Sequence, residues 1–401
     1  MRKNKLTKII EPLAFLAGIA LGILLPAYSD TYKTIGAVYV NLLKLLALPI
    51  LMCMVFDAVV KAAQKSKLLP QVLVVFIVLF AATFLLTAVF AVLIRPGRNA
   101  ILGGQIWDGQ PTVFSAQTVI NKIVPSNLFA SMSAGDFLPC ILIAAALGFA
   151  AKKTGAETLK TVVTDFEKVL LKLLEYVMHL TPIGVFFLMA AAASIGGGAI
   201  IGTGVKYILT AWVCCIIALA CVMLTPVCLI KKISPWTYII KVRTVILNAL
   251  STCSSAATLP VTLDVCRREF DIDEDITGLA APLGCTIHMC GGAVSFCLLA
   301  FFVFQMENKP VTLGIFLLML AAAEIINMAA PGIPGGGIVI GASYLSLLGA
   351  PLTIMGLYSG IYRFLDMAYT TLNVLGDITA NVILQYRRDR KTEKKNAQKK
   401  A

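Results

Sequence analysis

Apolar runs of helical length dominate the first half of the chain, and short polar stretches separate them. About 20 consecutive apolar residues form a helix that crosses the hydrocarbon core of a bilayer. The pattern predicts apolar helices at residues 9–28, 32–62, 69–94, 128–151, 169–194 and 207–230. We therefore expect an all-α membrane protein.

Two apolar segments of the second half are interrupted by small, polar or glycine-rich residues. Residues 244–265 contain a serine-rich centre at 251–260, and residues 311–348 contain the Pro/Gly cluster 330–337. Non-helical backbone at membrane depth is tolerated only where protein or a water-filled cavity lines it. Both segments thus predict re-entrant helical hairpins, a mark of inverted repeats around a midplane site. Between them, glycines at 282–292 predict an unwound turn with exposed carbonyls.

The helix predicted at 360–385 carries a polar stripe, because residues three, four, seven and eleven apart share one helical face. The stripe consists of Tyr362, Asp366, Tyr369, Thr370, Asn373 and Asp377. Carboxylates at membrane depth are costly unless water, a cation or an ammonium group meets them, so they indicate a functional site. The alternative is a buried polar ladder whose members satisfy one another.

Composition supports a membrane protein and excludes a soluble enzyme. Of 401 residues, 59% are hydrophobic and 14% charged, against about 25% charged in soluble domains. The net charge of +13 comes from basic clusters at 1–8, 61–67 and 387–400, which predict cytoplasmic loops rather than nucleic-acid binding. We expect a multi-pass protein of a bacterial-type plasma (inner) membrane with both termini cytoplasmic.

Four ordered motifs resemble the dicarboxylate/amino acid:cation symporter family, the glutamate transporter homologues. They are the tip ending in Thr258-Leu259-Pro260, residues 282–292, residues 331–337 and residues 366–377. The resemblance implies eight transmembrane helices, two re-entrant hairpins and a homotrimer working as an elevator. It divides the chain into scaffold helices at 1–68, helix three and a connection at 69–127, further scaffold at 128–203, a transport domain at 204–385 and a basic tail at 386–401.

The resemblance also implies the site residues, with no further cofactor, no catalytic residue and no metal beyond sodium. A small-molecule substrate, an amino acid or a dicarboxylate, would contact Ser254, Ser255, Thr286, Pro331, Gly332, Gly335, Asp366, Tyr369, Thr370 and Asn373. The coupling cation would contact Gly284, Thr286, His288, Met289, Asn373 and Asp377. The second hairpin would act as the gate.

Departures from the family pattern bear on the substrate. Tyr369 and Cys253 stand where family members have an arginine that grips an acidic side chain, and a guanidinium is what makes carboxylate recognition strong. We therefore expect a neutral amino acid, with a C4-dicarboxylate or acidic amino acid as the alternative. Arg363 is a candidate replacement, or it pairs with Glu324 or reaches the interface.

Departures in the cation region leave the coupling ion open between sodium and protons. The segment from His288 to Gly292 lacks the family's aspartate. His288 and Glu324 are candidate proton sites, although His288 can equally be a satisfied core residue. Two further readings remain: a soft-metal site at Cys285, His288 and Cys290 with Cys253 as a fourth ligand, and a binding or sensing homologue that no longer transports.

Overall fold

The computed structural model describes residues 3–62, 68–100, 127–134, 137–196, 199–328, 335–352 and 354–400, and regular structure there is entirely helical. The first half of the described chain contains α1 (Lys3–Leu24), α2 (Ser29–Ala62), α3 (Leu69–Ile94), α4 (Leu128–Ala134), α5 (Phe137–Lys153), α6 (Glu157–His179) and α7 (Thr181–Gly196). The all-helical class is confirmed for these residues.

The second half continues without a strand in its described residues. It contains α8 (Ala199–Ala218), α9 (Thr225–Lys231), α10 (Pro235–Thr252), α11 (Ser255–Phe270), α12 (Glu274–Ile287), α13 (Cys290–Met306), α14 (Leu313–Asn327), α15 (Gly336–Leu347) and α16 (Met355–Lys400). A π-helical turn, Leu219–Leu224, joins α8 to α9.

Helix ends follow local chemistry. Helix α3 ends where Arg95 turns left-handed, at φ 51°, immediately before Pro96, which cannot continue a helix. Ser234 accepts a hydrogen bond from the Thr237 amide at the start of α10, and Thr312 accepts one from the Ile315 amide at the start of α14. Such caps satisfy amides that have no partner inside the helix.

Length and composition identify three membrane-crossing candidates within the described ranges: Leu69–Ile94, Ala199–Lys231 and Glu274–Met306. Two helix pairs bent by 105° and 54° would raise the number to five if each pair formed one span. The apolar window of Glu274–Met306 is 94% buried, so other helices surround this stretch. The expected eight spans and the elevator arrangement stay predictions.

Two groups of helices can be recognised by their contacts. Helix α2 packs against α5, α6 and α7, and α1 lies along α7. Helix α16 packs against α10, α11, α12 and α13, while α3 lies on α13. The groups meet where α16 contacts α7 and α15 contacts α2. The polar stripe of α16 therefore faces the interior of the second group.

The first predicted hairpin is present as a helix-turn-helix. Helix α10 ends at Thr252, Cys253 turns left-handed at φ 50°, and α11 begins at Ser255. The arms have 18 and 16 residues and are longer than the predicted 244–265, because the caps lie at Ser234 and beyond Phe270. Insertion into the bilayer stays a prediction.

The second predicted hairpin is described only in its arms, α14 and α15. Its arms have 15 and 12 residues. The predicted tip residues Pro331 and Gly332 lie outside the described residues. Gly335 precedes α15 with φ 80°, a left-handed conformation that favours glycine.

The predicted break within 282–292 exists, but its position differs from the expectation. The non-helical residues are His288 and Met289, with φ −124° and −118°, whereas Gly284, Gly291 and Gly292 are helical. Glycine is required there for close packing. A Cβ on Gly291 would lie 2.1 Å from the carbonyl oxygen of Tyr369.

Candidate functional site

A small cavity lies between the first hairpin, the α12–α13 break, α14, the start of α15 and α16. Its volume is about 40 Å³, room for about three water molecules at ~10–15 Å³ each. Its lining is Cys253, Ser255, Met289, Gly292, Ser295, Phe296, Asn327, Gly337, Ile340, Tyr362, Asp366, Tyr369, Thr370 and Asn373.

Asp366 is the acidic residue of this lining and is 7% exposed. Its Oδ2 accepts a hydrogen bond from the Gly335 amide at 3.2 Å, and its Oδ1 accepts one from Thr370 Oγ1 at 3.2 Å. Gly335 and Thr370 thus orient the carboxylate. Because a buried carboxylate strongly favours a positive partner, the cavity suits a ligand with an ammonium group.

Two helix N-termini meet the cavity. Ser255 is the first residue of α11, and Ser254 caps this helix by accepting from the Ala257 amide at 3.2 Å. Gly337 belongs to the first turn of α15. Helix N-termini carry partial positive charge and unpaired amides, and so favour anions such as a carboxylate.

No basic side chain contributes to the cavity among the described residues. Arg363, the proposed substitute for the missing arginine, is half-buried and its guanidinium lies 3.5 Å from the carbonyl oxygen of Ser251. The sequence of residues 329–334 contains no basic residue. A second carboxylate on a ligand would therefore lack a guanidinium partner in the described cavity.

A second polar cluster lies next to the cavity at the helix break. His288 Nδ1 is 3.0 Å from Asp377 Oδ1, and His288 Nε2 is 3.1 Å from Cys290 Sγ. The ring of Phe76 stacks on the imidazole at 4.3 Å between centroids, with 6° between the planes. The contacts suit a neutral imidazole that donates to Asp377 and accepts from the Cys290 thiol.

The contact between His288 and Cys290 depends on the helix break. Helical geometry would place them on different faces, yet the extended backbone at His288 and Met289 brings their side chains together. Among the described residues, no group of three or more His, Cys, Asp or Glu residues is arranged to hold a metal ion.

The position of the Asp377 carboxylate also explains why residue 284 of α12 is a glycine. A Cβ on Gly284 would lie 2.2 Å from Asp377 Oδ1, so only glycine allows α16 to approach here. The Gly284 carbonyl accepts from the His288 amide at 2.9 Å. Asp377 is 2% exposed, and its carboxylate contacts the buried His288.

The predicted site residues that the structure describes divide into four sets. Ser255, Met289, Asp366, Tyr369, Thr370 and Asn373 line the cavity. Ser254 and Gly335 support it from the hairpins, and Gly284, His288 and Asp377 form the neighbouring cluster. Thr286 is exposed and donates to the Leu283 carbonyl at 2.9 Å, and Glu324 is half-buried on α14, outside the lining.

Sequence reasoning missed Asn327, Ser295, Phe296 and Ile340. Asn327 is 1% exposed and, with Glu324, is one of two polar residues in the mainly apolar helix α14, a feature that could have identified it. Ser295 contacts the Tyr358 hydroxyl at 2.5 Å. Phe296 and Ile340 carried no signal, because apolar residues on apolar helices do not reveal which side faces a cavity.

The fold and the site together define a class of protein, a multi-pass helical membrane protein with a small polar cavity between a helical hairpin and a broken helix. The model of the sodium:dicarboxylate symporter family matches residues 7–386. This chain therefore belongs to the sodium:dicarboxylate symporter family, whose members are transporters working by symport. The resemblance inferred from the motifs is confirmed.

Two relatives cover nearly all of the chain. One is the C4-dicarboxylate transport protein of Deinococcus radiodurans, 26% identical over an alignment 389 residues long that covers 93% of this chain and 87% of the relative. The other is the C4-dicarboxylate transport protein of Solibacter usitatus, 24% identical over an alignment 385 residues long that covers 92% of this chain and 90% of the relative. The similarity thus extends over both groups of helices.

Proposed function

We propose that this protein carries a small neutral amino acid across the membrane together with a coupling cation. The observation that supports this substrate is Asp366, a buried carboxylate in a cavity where the described lining offers no basic side chain. An amino acid brings the ammonium group that Asp366 favours. Its own carboxylate matches the N-termini of α11 and α15.

Sodium is the coupling cation that the family's description favours. The candidate ligands are the carboxylate of Asp377, the amide oxygen of Asn373 and carbonyl groups at the break between α12 and α13. Oxygen ligands of this kind suit a hard cation. His288 and Glu324 remain the candidate residues if protons contribute instead.

A C4-dicarboxylate is the second candidate substrate, because both relatives are named as transporters of that class. Two helix N-termini could each receive one carboxylate. The difficulty is Asp366, whose negative charge would repel the dianion in a site from which water is largely excluded. A dicarboxylate would therefore need a cation or a proton to neutralise Asp366.

The family suggests further features of the working protein. We propose a homotrimer in which residues 204–385, with helix three from 69–127, move as the transport domain against scaffold residues 1–68 and 128–203. The grouping of α10–α13 with α16, and of α1, α2 and α5–α7, supports this division. Both termini would be cytoplasmic, in the plasma membrane.

Ligand-induced thermal stabilisation of the purified protein distinguishes the two substrates. We expect alanine, serine or another small neutral amino acid to raise Tm in sodium chloride but not in choline chloride. Stabilisation by succinate with no response to any amino acid would contradict the neutral substrate and favour the dicarboxylate. No response to either class would contradict both candidate substrates.

A further inference from the structure

Asn327, which no motif singled out, contacts the non-helical residue Met289 through both ends of its side-chain amide. With its amide oxygen facing the Met289 N–H and its amide nitrogen facing the Met289 carbonyl, both distances are 3.2 Å. The pairing resembles that between neighbouring β-strands, and it suits the extended conformation of Met289. Asn327 is the last residue of α14, so one hydrogen-bonding side chain connects the second hairpin to the broken helix.

Side-chain amides replace the helical partners of the broken segment. In an uninterrupted helix the Met289 amide would donate to the Cys285 carbonyl, and the Gly291 amide to the Ile287 carbonyl. Instead, Met289 pairs with Asn327 and Gly291 donates to Asn373 Oδ1 at 2.7 Å. The backbone carbonyls of Cys285 and Ile287 therefore do not accept hydrogen bonds from these two amides. Both carbonyls lie near the C-terminal end of α12, where the helix dipole is negative.

The burial of Asn327 and the small residue beside it favour the contact with Met289. It is 1% exposed, and a buried amide without partners is costly. A Cβ on Gly292 would lie 2.2 Å from a terminal atom of the Asn327 side-chain amide, so glycine at 292 is needed for the amide to reach Met289. Asn327, Met289 and Gly292 all line the cavity.

We infer that Asn327 is a positioning residue that keeps Met289 extended and thereby sets the affinity for the coupling cation. This inference rests on the proposed cation coupling. At the other end of the second hairpin, Gly335 donates to Asp366. The α14 arm thus contacts the helix break through Asn327, and Gly335, at the start of the α15 arm, contacts the carboxylate of Asp366. These two contacts would link cation binding to substrate binding.

Hydrogen–deuterium exchange of the full-length protein tests the contact without requiring transport. We expect Asn327→Ala to speed exchange at the Met289 amide about tenfold or more, the change expected for losing about one hydrogen bond. Asn327→Asp keeps an acceptor and should keep this amide protected. Ser343→Ala, which removes a buried hydrogen bond to Val339 in the other arm, is the matched control and should leave Met289 unchanged.

Sodium-dependent uptake into proteoliposomes tests the consequence. We expect Asn327→Ala to raise the half-saturating sodium concentration about tenfold, and Ser343→Ala to leave it unchanged. Unchanged exchange at Met289 in Asn327→Ala, or an equal increase in Ser343→Ala, would overturn the inference. So would faster exchange with unchanged sodium dependence.

The two proposals can fail separately. If the wild-type protein takes up no solute in response to sodium, the proposed function fails, while the exchange experiment still decides whether Asn327 positions Met289. If uptake is sodium-driven but Asn327→Ala behaves like Ser343→Ala in both measurements, the positioning role fails and the proposed function stands.

Discussion

At the scale of single residues, Asp366 carries the argument for the substrate. Its two oxygens are oriented by Gly335 and Thr370, and its charge decides which ligands the cavity accepts. Its position on the polar stripe could be predicted from helical spacing. The hydrogen bond to Gly335 could not, because it joins two helices separated by a turn that no local pattern specifies.

Replacing Asp366 by Asn removes the charge and keeps an oxygen that can accept from Gly335. We expect transport of a neutral amino acid to fall by about 30-fold or more, since truncating one member of a buried charge pair costs about 2–5 kcal/mol. Initial rates of uptake measure this. Asp264→Asn, which removes an exposed ion pair to Arg268, is the control and should keep wild-type rates; equal losses in both variants would contradict the assignment.

A substitution at Gly284 tests whether α12 packs closely against Asp377. The Cβ of Gly284→Ala would collide with Asp377 Oδ1 at 2.2 Å, so we expect a lower Tm, by roughly 2–5 °C for a cost of about 1–3 kcal/mol. Gly278→Ala lies on the same helix with nothing within 4 Å of the added Cβ. It should leave Tm unchanged or raise it slightly. A Tm loss of equal size in Gly278→Ala would contradict the packing explanation.

At the scale of elements, hydrophobic pattern predicted the helices and the first hairpin, because apolar length and breaker residues act locally. The break in residues 282–292 was expected at its glycines but lies at His288 and Met289. Its exact position depends on Asn327 and Asn373, which are distant in sequence and replace the lost helical bonds. Such tertiary partners cannot be read from local periodicity.

Helices α12 and α16 are joined outside the apolar core by a buried and an exposed set of contacts. Gln385, 7% exposed, accepts from the Asp273 amide at 3.0 Å and donates to Asp273 Oδ2 at 2.9 Å. Arg388 forms ion pairs with Asp273 and Asp275 on side chains that are 35%, 45% and 76% exposed. The two sets should differ in strength.

We expect Gln385→Ala to lower Tm more than Arg388→Ala does, because losing buried hydrogen bonds costs about 1–3 kcal/mol whereas exposed ion pairs contribute at most about 1 kcal/mol. Thermal unfolding at low and high ionic strength measures both. Salt should abolish the effect of Arg388→Ala and leave that of Gln385→Ala. The opposite ranking would show that the ion pairs dominate this contact.

At the scale of the whole molecule, family membership and the all-helical fold followed from composition and ordered motifs. The substrate does not follow in the same way. The names of the relatives favour a dicarboxylate, whereas the described cavity has one carboxylate and no basic side chain. The chemistry of a few side chains decides between them, and such residues can change while the fold persists.

The central claim is tested most directly by uptake of labelled serine or alanine into proteoliposomes under an inward sodium gradient, with labelled succinate measured in parallel. We expect sodium-driven accumulation of the amino acid in the wild type, none without the gradient, and an initial rate reduced about 30-fold or more in Asp366→Asn. Accumulation of succinate alone, undiminished by Asp366→Asn, would contradict the account.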